Sequence, residues 1–413
     1  MPPPPITIAF GSCHRLSAAN GAANRLAEES ILRKIVELSP SAFLWLGDAI
    51  YKEGLGSETN SGTFDAPFNA MSLFKPYADL VSEVDGRIYG TWDDHDYGRN
   101  DAGRKLNNRT ERLNAYLDFM NEPKDSVRRK RKGLYSSYVL DPNVKIIFLD
   151  TRYHRDDHYV PSVGGIKKLP LSPLIAAFSR LMVKLLGQGS NYEGEVLGEE
   201  QWEWLEDELE ESKKAGPERV NVIVSSIQVL TTNPLVESWG HFPKEKRRLL
   251  ELIGGKSENR VLLLSGDVHH AEFSKVGDIL EVTSSGLTHS CSSPFYGFVC
   301  DIMLRSFPEH RHNNFYHVKE NFGLLKFENG QVDVQIYGED GSVVGETRLG
   351  GRAVDRSSID WDENVPHLLD GRCSKNFMCC FGALVLLLFL ALKLVLVLVG
   401  RSKKKKRMKK KND

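Results

Sequence analysis

Short apolar runs and longer helical patterns alternate along most of the chain. ITIAF, AFLWLG, IYGTW, VKIIFLD, NVIVSS and VLLLSG are brief and β-rich, which predicts strands. Between several of them lie NRLAEESILRKIVEL, LGEEQWEWLEDELEESKK and KEKRRLLELI, which predict helices; in the second, Trp202, Leu205 and Leu209 fall at helical spacing. Such alternation predicts an α/β layered fold. After Gly323 the pattern changes to GLLKFENGQVDVQIYGEDGSVVGETRL, where Asn-Gly and Asp-Gly punctuate alternating residues, predicting hairpins that close the domain. Residues 1–351 are thus read as one folded domain and the polar, irregular stretch 352–376 as a linker. The segment 377–399, Phe377 to Val399, is apolar apart from Lys393 and long enough for a hydrocarbon core, so it predicts a transmembrane helix. The long stem of Lys393 carries its ammonium toward the basic end of that span. Residues 400–413 form a basic tail, and no internal repeat is visible.

With 413 residues, 41% of them hydrophobic, and a net charge of −1, the composition is that of a globular protein. The near-neutral total hides an asymmetry, because RSKKKKRMKKKND at the C-terminus holds nine of the 54 Lys and Arg. The body is therefore acidic, which argues against a nucleic-acid footprint, since that needs cations clustered on the folded domain. Six cysteines, at 13, 291, 300, 373, 379 and 380, show no CxxC or zinc-finger spacing. No disulfide framework is expected, and Cys291 and Cys300 read as small buried or loop residues. The opening MPPPPITIAFGSC lacks the charged and long apolar regions of a secretory signal.

Candidate chemistry appears where the strand-like runs end. Five of them run directly into GSCHR, GDAIY, DDHDYGRND, DTRYHR and GDVHH. An open α/β sheet gathers functional groups at the carboxyl ends of its strands, so five such clusters point to one site. In GDAIY, Asp48 can bridge two cations while Tyr51, one turn on, reaches the same point as a phenolate. Asp267 and His269 are two apart in GDVHH and share a face if the strand stays extended. TWDDHDYGRND places four carboxylates and one histidine within nine residues, a repulsive group that cations would neutralise. Within it, Asp96 and Asp101 read equally as solvated acids. Cys13, in a sharp Gly-Ser-Cys-His turn, is either a thiolate ligand, suiting a softer or more oxidised metal than magnesium, or a buried thiol.

GSC near the start, WLGDAIY, TWDDHDYG, FLDTRYHR, LGEEQWEWLEDEL, LLSGDVHHAEF and EVTSSGLTHS, in this order, resemble the PhoD-like (alkaline phosphatase D) branch of the calcineurin-like metallophosphoesterases over roughly residues 6–350. The resemblance implies a sandwich of two β-sheets flanked by helices and a binuclear or trinuclear centre of ferric iron with calcium. It places Cys13, Asp48, Tyr51 and Asp267 around the iron, with Asp48 bridging to a second metal held by Asp94 and His269, and Asp93 as a further ligand. His95 would stand beside the substrate, to hold a phosphoryl oxygen or protonate the leaving group. Arg152 would grip phosphate oxygens in a bidentate manner, and His270 and Arg99 are further candidates. Two cations would lower the pKa of a shared water and stabilise the charge developing during hydrolysis of a phosphate monoester or diester.

Three features depart from the secreted pattern of that family. They are the missing export signal, the membrane span, and an apolar, basic insertion at 163–190, containing GGIKKLPLSPLIAAFSRLMVKLLGQGS, read as a surface helix, a lid or a membrane-surface element. The alternative to an enzyme is a membrane-anchored binding or scaffold protein that kept the fold and lost turnover. A hydrolase acting on something other than phosphate is a third reading. Post-translational insertion of a C-terminal span leaves the domain in the cytosol on an organelle membrane. The positive-inside rule, with Lys410 and Lys411 as a di-lysine retrieval signal, gives the alternative of a domain in the endoplasmic-reticulum lumen.

Overall fold

The computed structural model describes residues 5–16, 22–51, 64–166, 169, 171–256, 259–292 and 297–350. The linker, span and tail read at 352–413 lie outside the described residues. Among those residues no helix is long and apolar enough to cross a membrane.

Thirteen strands form two sheets among the described residues: β1 (Ile6–Gly11), β2 (Ala42–Trp45), β3 (Ile88–Gly90), β4 (Ser136–Asp141), β5 (Val144–Phe148), β6 (Val220–Ser225), β7 (Arg260–Ser265), β8 (Ala271–Val276), β9 (Ile279–Ser284), β10 (Arg311–His317), β11 (Asn321–Glu328), β12 (Gln331–Gly338) and β13 (Val343–Leu349). One sheet has the order β13-β12-β11-β1-β2-β3 and the other β10-β8-β9-β7-β6-β5-β4. In the first, β1, β2 and β3 run parallel, and in the second β5, β6, β7 and β9 do. All six apolar runs are strands. Of these, β5, β6 and β7 are buried along their length, as a strand covered on both faces must be.

The two sheets face each other across a core of Ile8, Phe10, Leu44 and Leu46 against Ile146, Phe148, Val222, Leu262 and Val282. Their outer faces are covered separately. Ile31, Leu32 and Ile35 of the helix Ala22–Glu37 pack on Phe43 and Trp45, while Trp202, Leu205 and Leu209 of the helix Glu199–Ala215 pack on Ile147 and Ile223. Helix on sheet on sheet on helix is the resulting order of layers. The C-terminal hairpins form as expected, with Asn329 and Gly330 both at positive φ in the β11–β12 turn, as a two-residue hairpin loop requires. They extend the first sheet, since β11 pairs antiparallel with β1.

Two expectations are corrected here. Cys291 and Cys300 form a disulfide, with Cα atoms 6.1 Å apart. The bend after β9 and the helix Gly297–Ser306 fold back on each other, a tertiary approach that the nine-residue spacing does not signal. Asp267 and His269 do not continue an extended strand, because β7 ends at Ser265 and both residues take positive φ, 72° and 63°.

Candidate metal centre

The carboxyl ends of β1, β2, β3, β5, β7 and β9 converge at one edge of the sandwich. Each parallel strand hands its chain to a tight, largely buried bend, and the polar clusters occupy those bends. Gly47 shows why the sequence bends there. Its φ is 110°, and a side-chain carbon at this position would stand 2.6 Å from Cβ of Asp93, so only glycine lets the β2 and β3 loops meet.

Asp48, Asp93, Asp94 and Asp267 offer carboxylate oxygens that all lie within 4.8 Å of one another, and Asp48, Asp94 and His95 form a second such group. Asp48 and Asp94 belong to both. Asp48 is fully buried; its Oδ1 accepts the His95 backbone N–H (3.2 Å) and its Oδ2 accepts the Tyr51 hydroxyl (2.9 Å). Cys13 Sγ lies 3.8 Å from the same Oδ2 and 3.1 Å from Ser285 Oγ. The Tyr51 hydroxyl is 3.5 Å from His269 Nε2. Thus Cys13, Asp48, Tyr51, Asp93, Asp94, His95, Asp267 and His269 all stand in one cluster.

A cation pair suits this donor set on two observations. Asp93 Oδ2 and Asp94 Oδ1 are buried without a hydrogen-bond partner, which is costly unless something else answers them. Burial, together with the neighbouring carboxylates, also drives Asp48 and Asp267 well above the usual range. Burial and Asp48 push the Cys13 thiol and the Tyr51 phenol up, while burial and His289 push His269 down. Acids packed this closely resist ionising together, and bound cations reverse that preference.

Arg152 is fully buried, and the structure gives it protein partners. Its Nε donates to Asp93 Oδ1 (2.6 Å) and its Nη1 to Glu237 Oε1 (3.0 Å), while Ser226 Oγ donates to the same Asp93 oxygen (2.6 Å). Asp150 aims it there, accepting the backbone N–H groups of Arg152 and Tyr153 and the Trp92 indole. The guanidinium thus fixes one oxygen of Asp93 and leaves the other free.

Asp96 and Asp101 are not solvated. Asp96 is buried and accepts the backbone N–H groups of Ala49, Ile50 and Asp93, tying the β2 and β3 loops together; burial pushes it up to about 7. Asp101 donates its own N–H to Asp94 Oδ2 (2.7 Å), and its carboxylate pairs with Arg180 (3.2 Å). Asp94, Asp101 and Glu237 also lie within 4.8 Å of one another, but Arg152, Arg155 and Arg180 already balance Asp101 and Glu237. His270 turns away to Glu272 (3.2 Å) and Val268 O (2.9 Å). Arg99 lies against Gly165 of the insertion.

Three residues of the neighbourhood were not singled out from the sequence. His289 stands 4.1 Å from the His269 ring and 4.9 Å from Tyr51, and burial lowers it to about 4. Its signal was present in EVTSSGLTHS, which also carries Ser285. Glu237 had none, because it follows no strand; it comes beside Asp94 and Asp101 and pairs with Arg152 and Arg155.

The PhoD-like phosphatase family matches residues 87–335. A solved structure of PhoD aligns over 85% of this chain and 72% of its own at TM-score 0.55 and 17% identity, a likeness of fold. A dimetal phosphatase from Danio rerio aligns over 84% of this chain and 99% of its own at TM-score 0.47 and 13% identity. GAP50, the anchor in the inner membrane complex of Plasmodium, aligns over 88% and 94% at TM-score 0.47 and 14% identity. No curated protein matches the sequence significantly. Cys13, Asp48 and Tyr51 precede the family match and join the site by geometry alone. Because that match spans more than half of the chain, from the start of β3 into β12, the chain belongs to the PhoD-like phosphatases, hydrolases of phosphate esters.

Proposed function

We propose that the chain hydrolyses phosphate monoesters, diesters or both at the Asp48 cluster, while tethered to a membrane by its C-terminal segment. The observation that carries this reading is the set of four carboxylates, from Asp48, Asp93, Asp94 and Asp267, gathered within 4.8 Å at the ends of parallel strands. Cys13, Asp48, Tyr51 and Asp267 would hold one cation, and Asp94 and His269 a second beside Asp48, with Asp93 supplying its free oxygen. Bound there, ferric iron with calcium would act as a Lewis acid on a phosphoryl oxygen and supply an activated water. The thiol and phenol beside Asp48 are the donors that favour iron for the first position.

His95 is the ring placed to meet substrate. Its side chain is 27% exposed, it lies over Tyr51 at 4.1 Å, and its Nε2 is 3.9 Å from Asp94 Oδ1. Burial lowers it below its ordinary value, so near neutral pH the ring is uncharged and can take or pass a proton at Nε2. Arg152 holds Asp93 in register. His289 and Ser285 limit the movement of His269, the latter by accepting the His269 backbone N–H at 2.8 Å.

The Cys291–Cys300 disulfide bears on compartment. Disulfides persist on the oxidising side of a membrane, so it supports placing the domain in the endoplasmic-reticulum lumen, with the basic tail cytosolic, over the cytosolic placement expected from post-translational insertion of a C-terminal span. The test of function is hydrolysis of aryl phosphate monoesters and diesters by Asp48→Asn and Asp267→Asn, with metal content read alongside. Both variants are expected to lose activity to background and to bind less metal; full activity with unchanged metal would overturn the assignment.

A further inference from the structure

The insertion folds into the helix Ser172–Leu185, SPLIAAFSRLMVKL, of which only Ser172, Ala176 and Leu181 are buried. A helix this apolar is ordinarily covered. Here Ile175 is 37% exposed and Leu186, just past its end, 63%; across from the helix Tyr159 and Val160 are 47% and 43% exposed. Five of the ten large exposed hydrophobics among the described residues fall between 159 and 186.

Between the helix and the Tyr159–Val160 segment lies a shallow cleft, open to solvent, lined also by His158, Arg180, Lys184 and His241. Its polar groups are incompletely satisfied. Lys184 has no ion pair or hydrogen bond among the described residues, and burial lowers its pKa. His158 is 5% exposed with neither ring nitrogen partnered; its nearest acid, Glu237 at 3.7 Å, is already held by Arg152 and Arg155. Arg180 pairs with Asp101 and donates to Leu235 O, and His241 Nε2 contacts Val236 O at 2.8 Å. Among the described residues the cleft therefore has one cation without an ion pair, Lys184, beneath an apolar rim.

We propose that the mouth of this cleft binds the phosphate of an anionic membrane lipid, with Lys184 facing the headgroup and the outer face of the insertion helix resting on the acyl region. The Lys184 ammonium complements an anionic headgroup, and the apolar rim distinguishes a lipid from a free anion. The choice of a bilayer rests also on the reading of 377–399 as a membrane segment, since the 352–376 linker keeps the domain beside whatever that segment enters. Arg180 joins the cleft to the metal centre, because it holds Asp101, whose N–H orients Asp94.

The test is titration of the full chain, in micelles of an uncharged detergent, with short-chain phosphatidate and separately with inorganic phosphate. Micelles keep the result independent of the tether, which carbonate extraction from membranes reads on its own. Saturable phosphatidate binding is expected, weakened at least about tenfold in Lys184→Gln and Lys184→Glu and also in Leu186→Asp, each with an unchanged thermal midpoint. Should those variants fail to fold, a phosphatidate bearing a photoreactive acyl chain is expected to label wild-type peptides within 159–186. Phosphatidate affinity unchanged in the Lys184 variants, inorganic phosphate binding as tightly as the lipid through Lys184, or labelling confined elsewhere would each overturn the proposal.

Discussion

Cys13, Asp48, Asp267 and His269 all adopt positive φ, between 50° and 72°, though none is glycine. Each such residue costs on the order of 1–3 kcal/mol and persists only where its surroundings enforce it. Here the enforcement is visible in hydrogen bonds. Cys13 O accepts the N–H groups of Thr288 and His289, and Asp48 O accepts that of His14. The strained bends point the thiol, carboxylates and imidazole to one place, which an extended strand would not do. Cys13 shows what a cation would change: burial and Asp48 oppose its ionisation, so a thiolate there requires a metal beside it. In the proposed ferric centre, Cys13→Ser is expected to remove the thiolate part of the visible absorption. A visible spectrum unchanged by Cys13→Ser would take Cys13 out of the metal shell.

Among the elements, strands buried on both faces are the most directly legible from the sequence. VKIIF, VNVIVS and RVLLLS carry apolar residues on both sides because helices cover one side and the opposite sheet the other. The edge strands β4 and β10, SSYVLD and RHNNFYH, are half-buried and offer no apolar run. In β8 and β9 the run is broken by buried acids that have found partners, Glu272 with Arg311 and His270, and Glu281 with the N–H groups of Val229 and Leu230. The helix Pro243–Glu251 buries a charge with less compensation. Lys246 donates to Thr231 O at 3.4 Å, and burial lowers its pKa from 10.5 to about 8. Below pH 8 both folded and unfolded forms are protonated and the full cost of the buried charge is present. Between about 8 and 10.5 the unfolded chain holds the extra proton, so this residue's contribution to stability rises with pH, by on the order of 3 kcal/mol across the window. Denaturant unfolding at pH 7.5 and 9.5 is expected to show Lys246→Met most stabilised relative to wild type at the lower pH. An equal difference at both pH values would show that Lys246 does not titrate there.

For the whole molecule, the strand-end clusters gather at one edge because the parallel strands of both sheets end there. What closes the site was less legible. Glu237, His289, the Arg180–Asp101 contact and the disulfide depend on loops returning from distant positions, and no local pattern records them. The disulfide also ties the site to the cell. Cys291 donates its backbone N–H to His269 O (2.8 Å), so the bridge anchors the segment behind a proposed ligand. In intact cells, Cys291 and Cys300 are expected to resist maleimide until a reductant is added, and the domain to survive protease applied to intact organelles. Immediate labelling of both cysteines, with digestion of the domain, would place it in the cytosol.

The central claim is that two or more cations lie among Asp48, Asp93, Asp94 and Asp267. Anomalous diffraction from crystals of the metal-replete protein, collected at the iron edge and at a wavelength sensitive to calcium, tests it most directly. The expected result is a pair of peaks with Asp48 between them, one bordered by Cys13 and Tyr51 and the other by Asp94 and His269. Peaks absent from this cluster in crystals of enzyme that hydrolyses phosphate esters would contradict it.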